Sequence, residues 1–328
     1  MLLEIRHLTQ YHYAQTVRES VMELWMQPWK GAGQRLISFE LDLDPAARLF
    51  SYADPYGNAV YHFDVPQPHD RLDILARSAV ETQAPTPLPE RLDSGEWNRL
   101  RSDFVRGEHL DFLRPHGFVE NTAALAAFID KHGLNELRPG DPLMAVRAVS
   151  KAIHDSLDYQ AGATTAESRI DEALGLGRGV CQDFSHIMIA ILRSWGIPAR
   201  YVSGYLFTDR DLGDRSDPDA THAWVEAYIP FYGWLGLDPT NNCIVNDSHV
   251  RLAIGRKFSD CSPVKGTYKG TAKQTLEVGV SVSFDDKALW NEVPAILTPQ
   301  AITVTATEDS NTNNNSYRKH MQMIQQQQ

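Results

Sequence analysis

One change of rhythm governs what this chain can fold into. Up to about residue 82 the apolar residues recur at every second position, and in the segments that first follow the proline-rich stretch QAPTPLPE, residues 83–90, they recur at every third or fourth. A period of two sorts side chains onto the two faces of a strand, and a period near 3.6 lines them along one face of a helix. In LISFELDLDP, Ile37, Phe39, Leu41 and Leu43 share a face, and in NAVYHFDV, Ala59, Tyr61, Phe63 and Val65 do the same. The turn signal DPYGN separates such runs, so residues 1–85 are expected to form an antiparallel β-sandwich-like domain. Met22, Trp25, Met26 and Trp29 lie at near-helical spacing and read as core or inter-domain packing.

Residues 86–120 read as a linker region, and 121–300 as an α+β domain in which helices come first and strands second. ENTAALAAFIDKHG predicts a helix capped by Asn121 or Thr122 and stopped at Gly133. GDPLMAVRAVSKAIHDSLDY predicts another, capped by Asp141, with Pro142 in its first turn and Leu143, Val146, Val149, Ile153 and Leu157 as its stripe. A third is expected near AESRIDEALGLG. ARYVSGYLF, HAWVEAYIP, GWLGLDPT and TLEVGVSVSF are the expected strands, and the Asn- and Gln-rich residues 301–328 a disordered tail.

A length of 328 residues accommodates about two domains, and a net charge of −11 argues against nucleic acid or an anionic membrane as partner. The three cysteines, Cys181, Cys243 and Cys261, form neither a CxxC pair nor an even framework, which fits a reducing compartment. The N-terminal residues lack a basic segment followed by an apolar one, and no apolar run reaches the roughly 18 residues of a spanning helix, so a cytoplasmic location is expected.

Cys181 stands where the glycine-rich GLGRGV becomes an apolar helix. Phe184, Ile187, Met188, Ile191, Leu192 and Trp195 form the stripe, and Gly196 ends it. The first turn of a helix has unpaired N–H groups and the positive end of the dipole, so it favours an anion, here the nucleophilic thiolate. The same N–H groups can hold an oxyanion. The competing reading is a small buried core residue.

Two further blocks supply partners. His222 begins the alternating THAWVEAYIP, with Trp224, Glu226 and Tyr228 on its face and Ala223, Val225, Ala227 and Ile229 on the other. Through the turn PFYG the chain returns as GWLGLDPTNN, carrying Asp238. A two-residue loop at Phe231–Tyr232 would pair His222 with Asn241 and Asp238 with Val225, so a longer loop or a bulge is needed to bring Asp238 into line. Taken singly, His222 reads equally as a structural histidine, and Asp238 as a turn cap before Pro239. Together, a thiol, an imidazole and a carboxylate supply a nucleophile, a base and the group that orients the base.

Other signals carry less. Asp209, Asp211, Asp214, Asp217 and Asp219 precede His222 but lack the central glycine and closing glutamate of a calcium loop, so they read as a solvated rim. His186 has no Cys/His cluster around it to bind zinc. Dinucleotide, P-loop and GxSxG patterns are absent, and neither a metal nor an organic cofactor is expected.

GRGVCQDFSHIMIAILRSWGIPARYVSGYL followed by HAWVEAYIPFYGWLGLDPTNN resembles the bacterial transglutaminase-like proteins, relatives of the animal transglutaminase core that are assigned as cysteine proteases. DPYGNAVYHFDV resembles their β-rich N-terminal domain and GRKFSDCSPVKGTYKG the segment after their core, although Cys261 stands where no cysteine is expected. The resemblance implies a papain-like core, with Cys181 as nucleophile, His222 as base and Asp238 as orienting carboxylate. It implies acyl transfer through a thioester on Cys181 with a peptide or protein substrate. Tyr159, Gln182 and Trp224 are candidates for the oxyanion site or cleft. The leading expectation is hydrolysis of peptide, isopeptide or related amide bonds. Transfer of a glutamine acyl group to a primary amine and a catalytically silent binding module are the alternatives.

Overall fold

In the computed structural model, residues 1–31, 33–138, 140–207 and 221–284 are described. The strands up to the proline-rich stretch are β1 (Leu2–Val17), β2 (Ser20–Leu24), β3 (Gln34–Asp44), β4 (Phe50–Ala53), β5 (Ala59–Val65) and β6 (His69–Thr82). Short helices α1 (Glu96–Leu100) and α2 (Asp103–Glu108) occupy part of the stretch expected as a linker, and α1 buries Trp97. Then come α3 (Ala123–Lys131), α4 (Pro142–Ser156), β7 (Asp158–Tyr159), α5 (Ile170–Leu176), β8 (Arg178–Gly179) and α6 (Cys181–Ser194). The chain continues as β9 (Ala199–Leu206), β10 (Thr221–Ile229), β11 (Gly233–Asp238), β12 (Cys243–Ile244), β13 (His249–Gly255), β14 (Val264–Tyr268) and β15 (Gln274–Phe284). The aspartate-rich stretch and the expected tail lie outside the described residues.

The period-two sequence does form a sandwich of two antiparallel sheets, ordered β15-β1-β6-β3 and β14-β2-β5-β4. Along β1, Leu3, Ile5, Tyr11 and Tyr13 alternate inward with His7 and Thr9. Each sheet is completed by a strand from the far end of the chain: β15 pairs with β1, and β14 with β2. Both strands fall inside the stretch 121–300, which the sequence reading assigns whole to the core. Ile37 also departs from expectation. The register of β3 on β6 shifts between Leu36 and Ser38, so Ile37 is 47% exposed while Phe39, Leu41 and Leu43 stay packed. The near-helical spacing of Met22, Trp25 and Met26 belongs to a strand and its exit, yet all three are buried.

The core packs helices on a five-stranded antiparallel sheet ordered β12-β11-β10-β9-β13. The helix signals act as expected. Thr122 caps α3, Gly133 is left-handed, and the Asp141 carboxylate accepts from the N–H groups of Leu143 and Met144 at the start of α4. α6 buries Phe184, Ile187, Met188 and Ile191 in one cluster with Ala223, Val225 and Ala227 of β10.

The outer edge of the sheet, β13, is covered by the sandwich. Gln34 accepts from the Arg251 N–H (2.8 Å) and donates to its carbonyl (3.0 Å). Asn58 does the same to Ile254, at 2.8 Å both ways. Two amide side chains thus replace a neighbouring strand and satisfy an edge that would otherwise be open. Among the described residues no helix is long and apolar enough to cross a membrane.

Candidate active site

Cys181 is the first residue of α6 and is 1% exposed. The residue before it, Val180, is extended and has no polar side chain to offer the helix start. Asp183 serves instead: its carboxylate accepts from the Val180 N–H (2.9 Å) and from the Thr164 hydroxyl (2.5 Å). Burial pushes this carboxyl up to about 6 against those two hydrogen bonds. A Cβ at Gly179 would lie 2.7 Å from that carboxylate, which is why a glycine precedes the turn. The first-turn N–H groups of Cys181 and Gln182 have no carbonyl within the helix to bond.

β10 and β11 supply the other two groups. Their register runs from Ile229 opposite Gly233 to Val225 opposite Leu237, so the loop between them has three residues, Pro230 to Tyr232. Phe231 takes a left-handed φ of 66°, and the Tyr232 N–H donates to the Ile229 carbonyl. Continued by one step, this register sets Asp238 opposite Trp224, on the face of His222. The two-residue loop would have put it opposite Val225, on the other face, because a slip of one residue reverses every side chain. His222 Nε2 and Asp238 Oδ2 are 2.8 Å apart, and the His222 side chain is also hydrogen-bonded to that of Cys181.

Asp238 is fully buried and well supplied with donors. Its Oδ1 accepts from the N–H groups of Thr240 (2.9 Å) and Asn241 (3.2 Å). Its Oδ2 accepts from His222 and from the Asn241 amide (2.8 Å), with His249 Nε2 at 3.5 Å. Burial opposes the charge, but His222 and these hydrogen bonds hold the carboxyl well below the usual carboxylate range. His222 mirrors it. Burial alone would strip its proton, but Asp238 and Cys181 push it up to about 10.

Of the six residues singled out in the sequence, Cys181, His222 and Asp238 form one hydrogen-bonded chain. Tyr159 pairs with Gly179 in the short β7–β8 ladder, two residues before Cys181, and is half-buried. Gln182 is fully buried, and among the described residues neither atom of its amide has a hydrogen-bond partner. The Trp224 ring lies 6.2 Å from that of His222 and packs among Val202, Ile254, Trp29 and Tyr56. A Cβ on Gly204, which faces His222 across the ladder, would meet the indole at 2.3 Å. Glu226 is an ion-pair partner of Arg200 and Arg251. His186 is buried between Phe118 and Tyr201, and its Nε2 accepts from the Phe258 N–H.

His249 escaped the sequence reading. It reaches Asp238 because β13 pairs with β9, and nothing in NDSHVRL announces that pairing. Its ring stands edge-on to Trp224 at 5.3 Å. His222, Asp238 and His249 each offer one metal-ligating atom, all within 4.8 Å of one another. The shared Oδ2 already accepts two hydrogen bonds of 2.8 Å, so the group is complete as a buried hydrogen-bond cluster. Among the described residues, none of Cys181, Cys243 and Cys261 forms a disulfide.

Residues 134–239 match the family profile described as the transglutaminase-like superfamily, and residues 3–81 match the bacterial transglutaminase-like N-terminal region. An uncharacterised protein of Mycobacterium leprae is 33% identical over 282 residues, which cover 86% of this chain and 98% of that one. A protein-glutamine gamma-glutamyltransferase of Pseudomonas aeruginosa is 36% identical over 87 residues, 24% of this chain and 12% of that one. A crystal structure described as "a Putative Cysteine Protease" from Cytophaga hutchinsonii superposes with a TM-score of 0.68 at 20% identity, covering 89% of this chain and 94% of that one, and so shares the fold.

Proposed function

The chain belongs to the transglutaminase-like superfamily, and from that premise we propose that it is a thiol-dependent hydrolase of peptide, isopeptide or related amide bonds. The hydrogen-bonded chain from Cys181 through His222 to Asp238, at the start of a helix, carries this reading. Cys181 Sγ attacks the amide carbon as His222 takes the thiol proton, and the C–N bond breaks as His222 gives that proton to the leaving amine. The resulting thioester is attacked by water, whose proton passes to His222, and breakdown releases the acid and the free thiol. Asp238 holds the ring with Nε2–H toward itself, which leaves Nδ1 to serve the sulfur, and stabilises the imidazolium.

The oxyanion is held by the N–H of Cys181, and the amide of Gln182, which has no hydrogen-bond partner among the described residues, is the side chain best supplied to join it. Trp224 keeps water from the ion pair, and Tyr159 lines the cleft. No step needs a metal or an organic cofactor. The 87-residue similarity to a gamma-glutamyltransferase favours a second reading, in which a primary amine replaces water as acceptor on the same thioester.

The test is the pH dependence of alkylation, read by peptide mass, in wild type and His222→Ala. Fast labelling of Cys181 that persists at pH 6 and disappears in the variant is the expected result. Amide substrates with and without added amines then separate hydrolysis from transfer. Labelling of Cys181 that is slow, and alike in both proteins, would sink the enzymatic readings in favour of a binding module.

A further inference from the structure

Behind the His222–Asp238 pair, between the sandwich and the sheet face that carries Trp224, lies a cavity of about 440 Å³. That volume is within the range of small-molecule sites, about 300–1,000 Å³. The chain at 82–86, where β6 runs into the proline-rich stretch, forms one wall. The Tyr232 hydroxyl ties that wall to the β10–β11 hairpin by donating to the Thr86 carbonyl (3.2 Å). Trp224, Trp234, Asn246, His249 and Arg251 line the opposite side.

Its chemistry is lopsided toward donors. Among the described residues Glu226 is the one acidic residue in the lining, and its carboxylate is shared by Arg200 and Arg251. Two guanidinium groups on one carboxylate leave a positive charge in excess. Arg251 Nε and Trp224 Nε1 are buried, and among the described residues no acceptor meets either. Asn246 Oδ1 is already engaged by the Ser248 N–H and by His249. An unmet buried donor is costly, and an acceptor from outside would recover that cost. The Trp234 indole, stacked on Arg200 at 4.1 Å, adds a flat apolar wall.

We propose that this cavity binds the carboxylate of an amino-acid-sized molecule, either a free N-acylated amino acid or the C-terminal residue of a peptide. Its recognition does not depend on Cys181. Trp224, whose ring lies beside that of His222, and His249, beside Asp238, both line it, so these two side chains stand between an occupant and the pair.

Tryptophan fluorescence of the full chain, in wild type and in Cys181→Ala, tests this with N-acetyl-phenylalanine, its amide, and a phenylalanine-terminated tripeptide as free acid and as amide. The acids are expected to saturate and the amides to bind at least tenfold more weakly. Arg251→Gln should weaken the acids at least tenfold. Ala84→Trp, on the exposed rim, should block them without touching the buried ion pairs. Tighter binding of the tripeptide acid identifies a peptide end, and tighter binding of the N-acetyl acid a free small molecule. Equal binding of acids and amides, saturation unaffected by both substitutions, or no saturation at all would overturn the proposal. Because Cys181→Ala must behave like wild type, a failure of the thiol chemistry leaves this result readable.

Discussion

His186 and His222 both lie buried where α6 meets the sheet, and they hold protons in opposite ways. His186 is packed against aromatic rings, near Arg193 and Lys257, and burial together with those cations lowers it to about 3. His222, equally buried, is raised to about 10 because a carboxylate with four other donors around it lies 2.8 Å away. Burial therefore makes neither a cation nor a catalytic group. What separates the packing histidine from the one proposed as base is a counter-charge that the backbone itself has fixed in place.

Removing the counter-charge should erase the difference. In Asp238→Asn, alkylation of Cys181 at pH 6 is expected to fall by on the order of 10²-fold or more, since the ring loses both its orientation and its cation. Labelling at the wild-type rate would show that the carboxylate does not set the histidine apart. Next in size is Gly204→Ala. Its Cβ would meet the Trp224 ring and the Val250 carbonyl, each at 2.3 Å. A loss of about 1–3 kcal/mol is expected in denaturant unfolding, with slower alkylation because Trp224 moves against His222.

The two histidines should also act on stability in opposite pH windows. His222 is raised above its ordinary value of 6.5, so its contribution is complete below that value and fades as pH climbs through about 10. His186 is depressed, so the unfolded chain binds the extra proton and stability drops as pH falls from 6.5 toward 3. Each slope is at most about 1.4 kcal/mol per pH unit. Unfolding curves from pH 5 to 9 should lose their alkaline decline in His222→Ala and their acidic decline in His186→Asn. The smallest effect is expected from His249→Gln. Asp238 keeps its shorter hydrogen bonds, so alkylation should slow less than tenfold, and a larger loss would make His249 part of the counter-charge system.

The helix bearing Cys181 was legible because its signals are local: an apolar stripe, a glycine that Asp183 crowds, and a left-handed Gly196. The place of Asp238 was not. It depends on a three-residue loop with a phenylalanine at positive φ, a position that turn preferences assign to glycine or asparagine. Ile37 obeyed the alternation on paper and left it through a bulge. Alternation marked β15 as a strand but holds no information about which strand it joins. His249 and the amides of Gln34 and Asn58 act across more than ten residues of separation or between domains, where composition and period say nothing.

β14 and β15 close the sandwich from the far side of the core, so in chain order the thiol-bearing domain is an insertion within a β-domain. A nascent chain cannot complete either sheet until the thiol, the imidazole and the carboxylate have all left the ribosome. A fragment cut at the proline-rich stretch would expose two raw sheet edges, along β1 and β2, and should aggregate where the whole chain does not. The domain that is translated first is the one that finishes last.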